Sequence, residues 1–386
     1  MRIDRIGFKG KAVVVLGAGA TRGAEFVPRL AGALPPLDSD FFTQAQRLSK
    51  DKPKKLLSGL IKQTTDTFGR NFALSMEGFF TMVEQLSNVN EDYKGRGRPP
   101  ANEYKQMHDQ FLQVLAAVLD ETVTREPTCS YHSRLVQAMS REDTILSFNY
   151  DWLIDHTLKT HGRSKWNPKM GYGVPVYRKG KVGKGTEFWA YHEKTTLAPQ
   201  YPQGTITLLK MHGSMNWFPV PTTVRRGKEV VSKLRLRERW WHQQGKLKFE
   251  IAPPEWNKPI RSGVYRLVWR RARHVLKQTR AIVFIGYSLP ETDMPARALF
   301  MVDQKAPLLD LLVTVTPDQL ARRRIRQTLM HRIDGNTRVL SFDTFQEFAR
   351  FLGHNGETRS VPPCLDPRAS PNLTKLCPVA KALPED

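Results

Sequence analysis

The chain has 386 residues, 40% hydrophobic and 10% aromatic, a globular composition that excludes a disordered tail and allows one enlarged α/β domain or two to three smaller ones. Its formal net charge is +23, from 60 basic and 37 acidic residues, which favours polyanionic partners but carries no code for base recognition. Three cysteines, Cys129, Cys364 and Cys377, form no CxxC pair, which excludes a disulfide framework and points to a reducing cytoplasm.

The first predicted element is the apolar run from Ala12, in which Val13, Val14 and Val15 favour a buried strand. It ends on Gly17-Ala18-Gly19-Ala20-Thr21, where two glycines permit a sharp turn and close approach to a diphosphate. The basic residues before it, Arg2, Arg5, Lys9 and Lys11, imitate a signal peptide, but the apolar core is too short. With no long apolar span elsewhere, no membrane segment is expected. A dinucleotide fingerprint places its third glycine three residues after the second; here Gly23 follows Gly19 by four. Nor does a strand-ending acid follow to hold a ribose, since Asp38 and Asp40 sit in a loop-like Pro-Pro-Leu-Asp-Ser-Asp run. Both departures argue against a hydride-transfer enzyme.

The stretch from about 38 to 140 is far longer than one crossover needs, and reads as an inserted helical layer. Met107, Phe111, Val114, Leu115 and Val118 share one stripe of a predicted helix over Glu103–Glu121, and Ala73–Leu86 is similarly apolar. Such stripes are core, so none of these residues is assigned to a ligand. Asn90–Ala101 reads as a basic loop.

Further strands are predicted at Thr144–Phe148, Thr207–Met211, Ala281–Ile285, Leu311–Val315 and Val339–Phe342, the last followed by a helix over Thr344–Leu352. The alternation predicts an α/β fold with an open, mainly parallel six-stranded Rossmann-like sheet. Two segments of little helical period, about 160–205 and 219–262, are expected to form a smaller irregular lobe. Residues 1–353 then make one domain, and 354–386 a Pro-rich tail. Basic runs at Arg225–Lys228, Arg270–Arg273 and Arg322–Arg326 read either as solvated faces or as contacts to nucleic acid.

In an open α/β sheet the ligand lies beyond the carboxyl ends of the strands. The residues following the predicted strands are Gly17–Thr21, Ser147-Phe148-Asn149-Tyr150-Asp151, Met211-His212-Gly213-Ser214, Gly286-Tyr287-Ser288-Leu289 and Thr316-Pro317-Asp318. In this order they resemble the motifs of the sirtuin superfamily of NAD-consuming enzymes: a Gly-Ala-Gly loop, an Asn-x-Asp segment, a His-Gly pair and a Gly-(Thr/Tyr)-Ser-Leu turn. The resemblance spans about residues 12–318 as a skeleton, with the insertions unmatched. Asn-Tyr-Asp and Gly-Tyr-Ser-Leu-Pro look closest to bacterial sirtuin-like domains of antiphage defence, several of which hydrolyse NAD. Protein-deacylating sirtuins carry a zinc on two cysteine pairs, which three scattered cysteines cannot supply, so no zinc is expected.

The resemblance implies NAD as substrate, held by Gly17, Ala18, Gly19, Thr21, Asn149, Gly286 and Ser288, with Arg22 near a phosphate and Thr316 and Asp318 by the adenosine ribose. It also implies a homo-oligomer, an ATPase or translocase as a possible defence partner, and Glu77 facing the nicotinamide. Cleaving the nicotinamide–ribose bond needs neither hydride acceptor nor metal. His212 suits the general base, because imidazole titrates near neutrality, and Asn149 can hold water or a ribose hydroxyl without adding charge. Asp151 either stabilises electron-deficient ribose or caps the helix predicted over Trp152–Leu158. Ser288, Thr316 and Asp318 are equally explained as turn residues. Two other functions fit: NAD-dependent deacylation or ADP-ribosyl transfer, and a nucleic-acid-binding or nuclease subunit with a regulatory NAD site.

Overall fold

The computed structural model describes residues 11–69, 75–89, 100–123, 127–167, 171–174, 204–225, 228–236, 250–251, 263–301 and 306–353. The loop expected around 90–101, most of the 160–205 segment, much of 237–262 and the Pro-rich 354–386 tail lie outside these residues.

The first strand, β1 (Ala12–Leu16), leads through a glycine turn into the short helix α1 (Ala18–Arg22). Four helices then form the inserted layer: α2 (Phe41–Gln46), α3 (Asp51–Phe68), α4 (Met76–Val89) and α5 (Pro100–Thr122). The chain returns through α6 (Ser130–Ala138) to β2 (Thr144–Ser147), α7 (Leu153–His161), β3 (Thr207–Lys210) and the two-residue β4 (Gly213–Ser214). An antiparallel ribbon, β5 (Trp217–Arg225) with β6 (Lys228–Leu236), precedes β7 (Glu250–Ile251), which pairs with β4. The second half runs α8 (Gly263–Leu276), β8 (Ala281–Ile285), α9 (Met294–Met301), β9 (Leu311–Val315), α10 (Gln319–Thr328), β10 (Arg338–Phe342) and α11 (Phe345–Gly353).

Six strands form one sheet in the order β10-β9-β8-β1-β2-β3, and every pairing is parallel. The fold is thus the open, Rossmann-like α/β sheet expected from the alternating apolar runs. Val14 at its centre faces Ile145 on one side and Val283 on the other, and all three are buried. Burial on both faces explains why these strands read as continuous apolar runs, not alternating ones. Chain direction across the sheet reverses between β1 and β8, and the carboxyl ends at such a switch point open into a crevice.

Two hydrophobic clusters divide the molecule. One surrounds the sheet and includes Leu135 and Val136 of α6, together with Phe345 and Phe348 of α11. The helix closing the predicted insertion therefore belongs to the sheet layer and serves as the crossover into β2. The other cluster fills the inserted helices. Phe111 stacks on Phe41 at 4.6 Å and on Phe79 at 4.8 Å, and meets Phe80 edge-on at 4.3 Å. Tyr150 and Trp152 from the loop after β2, Leu153 at the start of α7 and Met215 just after β4 join this second cluster. The helical layer is thereby seated beside the strand ends that carry the candidate residues.

The ribbon of β5 and β6 gives the second predicted irregular segment a regular part. Some of the basic residues are used internally. Arg322 donates to the carbonyls of Thr316 (2.6 Å) and Phe342 (3.0 Å) and pairs with Asp343, and Arg326 reaches Ser341 Oγ at 3.3 Å. These arginines tie the ends of β9 and β10 together. Among the described residues, no helix is long and apolar enough to cross a membrane.

Candidate functional site

The floor of the crevice is made by two backbone turns pressed together. Gly17 donates its N–H to Ile285 O (3.0 Å) and Gly19 donates to Gly286 O (2.9 Å). A Cβ on Gly17 would lie 2.5 Å from Gly286 O, and one on Gly286 would lie 2.0 Å from the backbone nitrogen of Ala20. Gly286 also adopts φ +60°, in the left-handed region that glycine occupies without steric cost. The glycines are thus required first by the contact between the two turns, which brings the end of β8 against the start of α1. Leu289, at φ +48° and fully buried, continues that unusual turn toward α9.

Above this floor, three side chains form a directional relay. Thr21 Oγ1 donates to Asp151 Oδ2 at 2.8 Å, and Asn149 Nδ2 donates to Thr21 Oγ1 at 3.0 Å. The hydroxyl has one proton and the carboxylate takes it, so Thr21 can only accept from Asn149. That order fixes the amide orientation: the Asn149 NH₂ faces Thr21 and its carbonyl oxygen points away. Asn149 is 7% exposed, yet this Oδ1 is a buried acceptor without a hydrogen-bond partner. Such an atom costs free energy in isolation and is satisfied by a hydroxyl, an amide or a water. Asp151 Oδ1 meanwhile accepts from Leu153 N at 2.9 Å, in the first turn of α7. The helix starts one residue later than expected, with Trp152 at its N-cap position, and Asp151 satisfies its first N–H from the residue before, while its second oxygen holds Thr21.

His212, in the loop after β3, is 6% exposed and sits among aromatic rings. Phe148 meets it edge-on at 5.1 Å, Tyr150 lies at 6.1 Å and Trp269 of α8 at 6.4 Å. Trp269 is held in place by donating Nε1–H to Met211 O at 3.0 Å. Phe148 also stacks on Tyr287 at 4.1 Å, linking the loops after β2 and β8. The His212 Nε2 atom stands 3.4 Å from Asp293 Oδ2, and both side chains are buried. Asp293 accepts from the Tyr287 hydroxyl at 2.8 Å; burial first, and then this carboxylate, push the Tyr287 phenol well above its ordinary pKa.

Asp293 was not among the residues singled out from the sequence. It lies seven residues beyond Gly286, and only the fold of the Pro290–Asp293 turn brings it to His212. Lys210 was missed for a similar reason. Fully buried at the end of β3, its ammonium donates to the Asp151 carbonyl and lies 3.4 Å from Asp155 Oδ2. Asp155 also accepts from Tyr172 OH (2.8 Å) and Asn216 Nδ2 (3.1 Å). This network pins the loops after β2 and β3 to α7.

The remaining expected residues make other contacts. Ala18 opens α1 at partial exposure. Arg22 turns toward the helical layer, donating Nε–H to Pro35 O at 2.5 Å and pairing with Asp40. Glu77 accepts from Thr292 Oγ1, and its backbone N–H donates to Asp38 Oδ1 at 2.8 Å. It therefore braces the turn carrying Asp293 from the layer side. Asp318 caps α10 by accepting from Leu320 N at 2.8 Å, and Thr316 Oγ1 accepts from Asp318 N at 3.2 Å. Arg324 joins Asp318 (3.6 Å) to the Ser288 carbonyl (3.3 Å), so these residues form the exposed rim on the β9 side.

The structure thus joins Thr21, Asn149 and Asp151 by hydrogen bonds and Gly17 and Gly19 to Gly286, while His212 is connected to the loops after β2 and β8 through Phe148, Tyr150 and Asp293, and Ser288, Thr316 and Asp318 lie on the β9 side. Among the described residues no group of three or more His, Cys, Asp or Glu side chains is placed to hold a metal ion. The chain matches no protein-family model and no curated protein, so the chemistry of this crevice rests on its own residues.

Proposed function

We propose that the chain is a sirtuin-like NAD hydrolase, releasing nicotinamide and ADP-ribose, in the setting of bacterial antiphage defence. The observation that carries this reading is the Asn149 amide. It is neutral, buried, locked by Thr21 and Asp151, and left with one unsatisfied acceptor at the switch point of a Rossmann-like sheet. A ribose hydroxyl or an attacking water is a donor of the kind that oxygen needs. Asn149 adds no charge to compete with the cationic nicotinamide leaving group. His212, reached through the neighbouring Phe148 ring, supplies a base that takes the proton from that hydroxyl or water. The aromatic surroundings limit solvent and strengthen the electrostatics of the reacting centre.

Purified protein incubated with NAD, followed by chromatography, is expected to yield nicotinamide and ADP-ribose in equal amounts. His212→Ala and Asn149→Ala are each expected to lower the rate by about 10² to 10⁴. Near wild-type turnover in either variant removes that residue from the mechanism, and intact NAD with every tested activator overturns the reading. Formation of an ADP-ribose ester only with an acetylated peptide would instead identify a deacylase.

A second reading, contact with nucleic acid, is favoured by α8. Its outer face carries Arg266, Arg270 and Arg273, all exposed, and no acidic residue occurs between Gly263 and Leu276. Like charges at this spacing weaken a helix, whereas a polyanion would relieve them. Binding to duplex DNA that steepens as salt falls, and flattens in an Arg266→Glu/Arg270→Glu variant, supports this reading; no binding at low salt removes it.

A further inference from the structure

We propose that Lys210 is a positioning residue for Asn149: its buried ammonium fixes the loop after β2 through the Asp151 carbonyl, and so sets where the Asn149 amide stands in the crevice. The inference rests on the reading of Asn149 as a group of the reacting centre, but not on NAD being the substrate.

The loop that carries Asn149 is held from several sides. Phe148 donates its N–H to Leu16 O at 2.8 Å, which ties the start of the loop to β1. The Tyr150 carbonyl accepts from Met215 N (2.9 Å) and from Ser214 Oγ (3.2 Å). Asp151 is engaged at each of its acceptor atoms: Oδ1 by Leu153 N, Oδ2 by the Thr21 hydroxyl, and the main-chain carbonyl by the Lys210 ammonium. Thr21 in turn accepts from Asn149 Nδ2 at 3.0 Å. A shift of Asp151 therefore reaches Asn149 twice, through two residues of main chain and through the Thr21 hydroxyl.

Lys210 is 0% exposed, and a buried ammonium carries a large desolvation penalty. Stability alone is a weak reason for such a group, since an apolar pair of like volume is often as stable. Its surroundings give it a direction instead. Asp155 Oδ2 lies 3.4 Å from the ammonium, at the long end for a hydrogen bond, and balances its charge. That carboxylate is itself anchored, because Oδ1 accepts from Tyr172 OH (2.8 Å) and Asn216 Nδ2 (3.1 Å). Burial first, and then the Asp155 charge, push the Tyr172 phenol well above its ordinary pKa, so it stays a donor. Lys210 also ends β3 two residues before His212. One side chain thus joins the strand end that leads to His212 with the loop that carries Asn149.

The test uses the full chain labelled with ¹⁵N-asparagine, in which the Asn149 side-chain NH₂ signals are assigned by their loss in Asn149→Asp. Lys210→Met/Asp155→Asn removes both buried charges together and strands neither. In this variant the Asn149 signals are expected to shift and their protons to exchange at least about tenfold faster. Below its denaturation midpoint, kcat for NAD cleavage should fall by at least about tenfold, with KM changed less than about threefold. Lys210→Gln/Asp155→Asn, equally neutral but with an amide donor in the same place, should recover part of both. A second measurement needs no variant: ¹⁵N-lysine labelling of the wild type should show an ammonium whose protons exchange slowly.

Wild-type Asn149 signals and kcat in the folded Lys210→Met/Asp155→Asn protein overturn the assignment. Equal losses in the two neutral pairs also overturn it, since they trace the effect to packing and not to the bond with Asp151, and so does the absence of a slowly exchanging ammonium. If the Asn149 signals depend on Lys210 as expected but the wild type leaves NAD intact, the positioning role stands and the choice of substrate falls.

Discussion

Gly19 donates its backbone N–H to the carbonyl of Gly286 at 2.9 Å, so the loop after the first strand and the turn after β8 form one unit. The second contact, Gly17 N–H to Ile285 O at 3.0 Å, holds the same two turns together.

Replacing Gly286 by alanine is expected to be severely destabilising. The new Cβ would meet the Ala20 nitrogen at 2.0 Å, at a backbone φ of +60°. Together the overlap and the left-handed strain should cost at least about 3 kcal/mol, read as a lowered denaturation midpoint or loss of soluble protein. Gly59→Ala is the control. It lies in α3 with nothing within 4 Å of its Cβ position, and should gain about 0.5 to 1 kcal/mol.

Thr21 is expected to matter through its hydroxyl. Thr21→Val leaves Asn149 Nδ2 and Asp151 Oδ2 without their shared partner, at a cost of about 1 to 3 kcal/mol. Because the amide then loses its fixed direction, turnover should fall by about tenfold or more. Thr21→Ser keeps both bonds and should remain close to wild type. Equal activity in the valine variant would show that Asn149 is oriented by something other than Thr21.

Lys210 and Asp155 are expected to behave as a coupled pair. Lys210→Met removes the cation facing a buried carboxylate and should destabilise by about 3 to 5 kcal/mol in chemical denaturation. Adding Asp155→Asn removes the stranded charge. The double variant should then be more stable than the sum of the single effects by more than about 1 kcal/mol. Strict additivity would show that the two groups do not interact.

His132 predicts an acid sensitivity. Its ring is buried against Phe345, at 4.8 Å, and burial lowers its pKa from 6.5 to about 3. The folded state therefore disfavours a proton that the unfolded chain accepts. This contribution is absent above pH 6.5 and destabilises progressively as pH falls from 6.5 toward about 3. At pH 5.5 it amounts to roughly 1 kcal/mol. The loss of stability between pH 7.5 and 5.5 should be smaller by about that amount in His132→Gln; an equal loss in both proteins would contradict the burial argument.

The sheet was legible because its strands are buried on both faces. Runs such as Val13-Val14-Val15 and Leu311-Leu312-Val313 carry their own signal, and their spacing left room for crossovers. The stripe of Met107, Phe111, Val114 and Val118 announced α5 in the same way. Within the expected helical layer the helix over Asp51–Phe68 was not delimited, because its buried face, Leu57, Leu60 and Thr64, is narrow and surrounded by lysines. Nor did periodicity show that α6 packs with the sheet, because a crossover helix and a layer helix present the same apolar spacing.

At the site, the loop residues were readable as types and positions, and their partners were not. Asn149 and His212 stand out because they follow strands, but whether Asp151 faces a ligand or a neighbouring side chain depends on Thr21, 130 positions away. That Arg22 pairs with Asp40 could not be read from the sequence, because the partner lies 18 positions away in a loop.

By itself the sequence determined the open six-stranded α/β sheet, the candidate residues at its carboxyl ends and the size of the inserted layer. Those follow from local apolar patterning and from the order of short motifs, both of which survive in one dimension. Tertiary structure alone decided that Gly17 and Gly19 serve the contact with Gly286, that Thr21 locks the Asn149 amide, and that Asp293 faces His212. Each of these is a contact between residues far apart in the chain, where distance and hydrogen-bond direction matter and residue identity alone does not specify them.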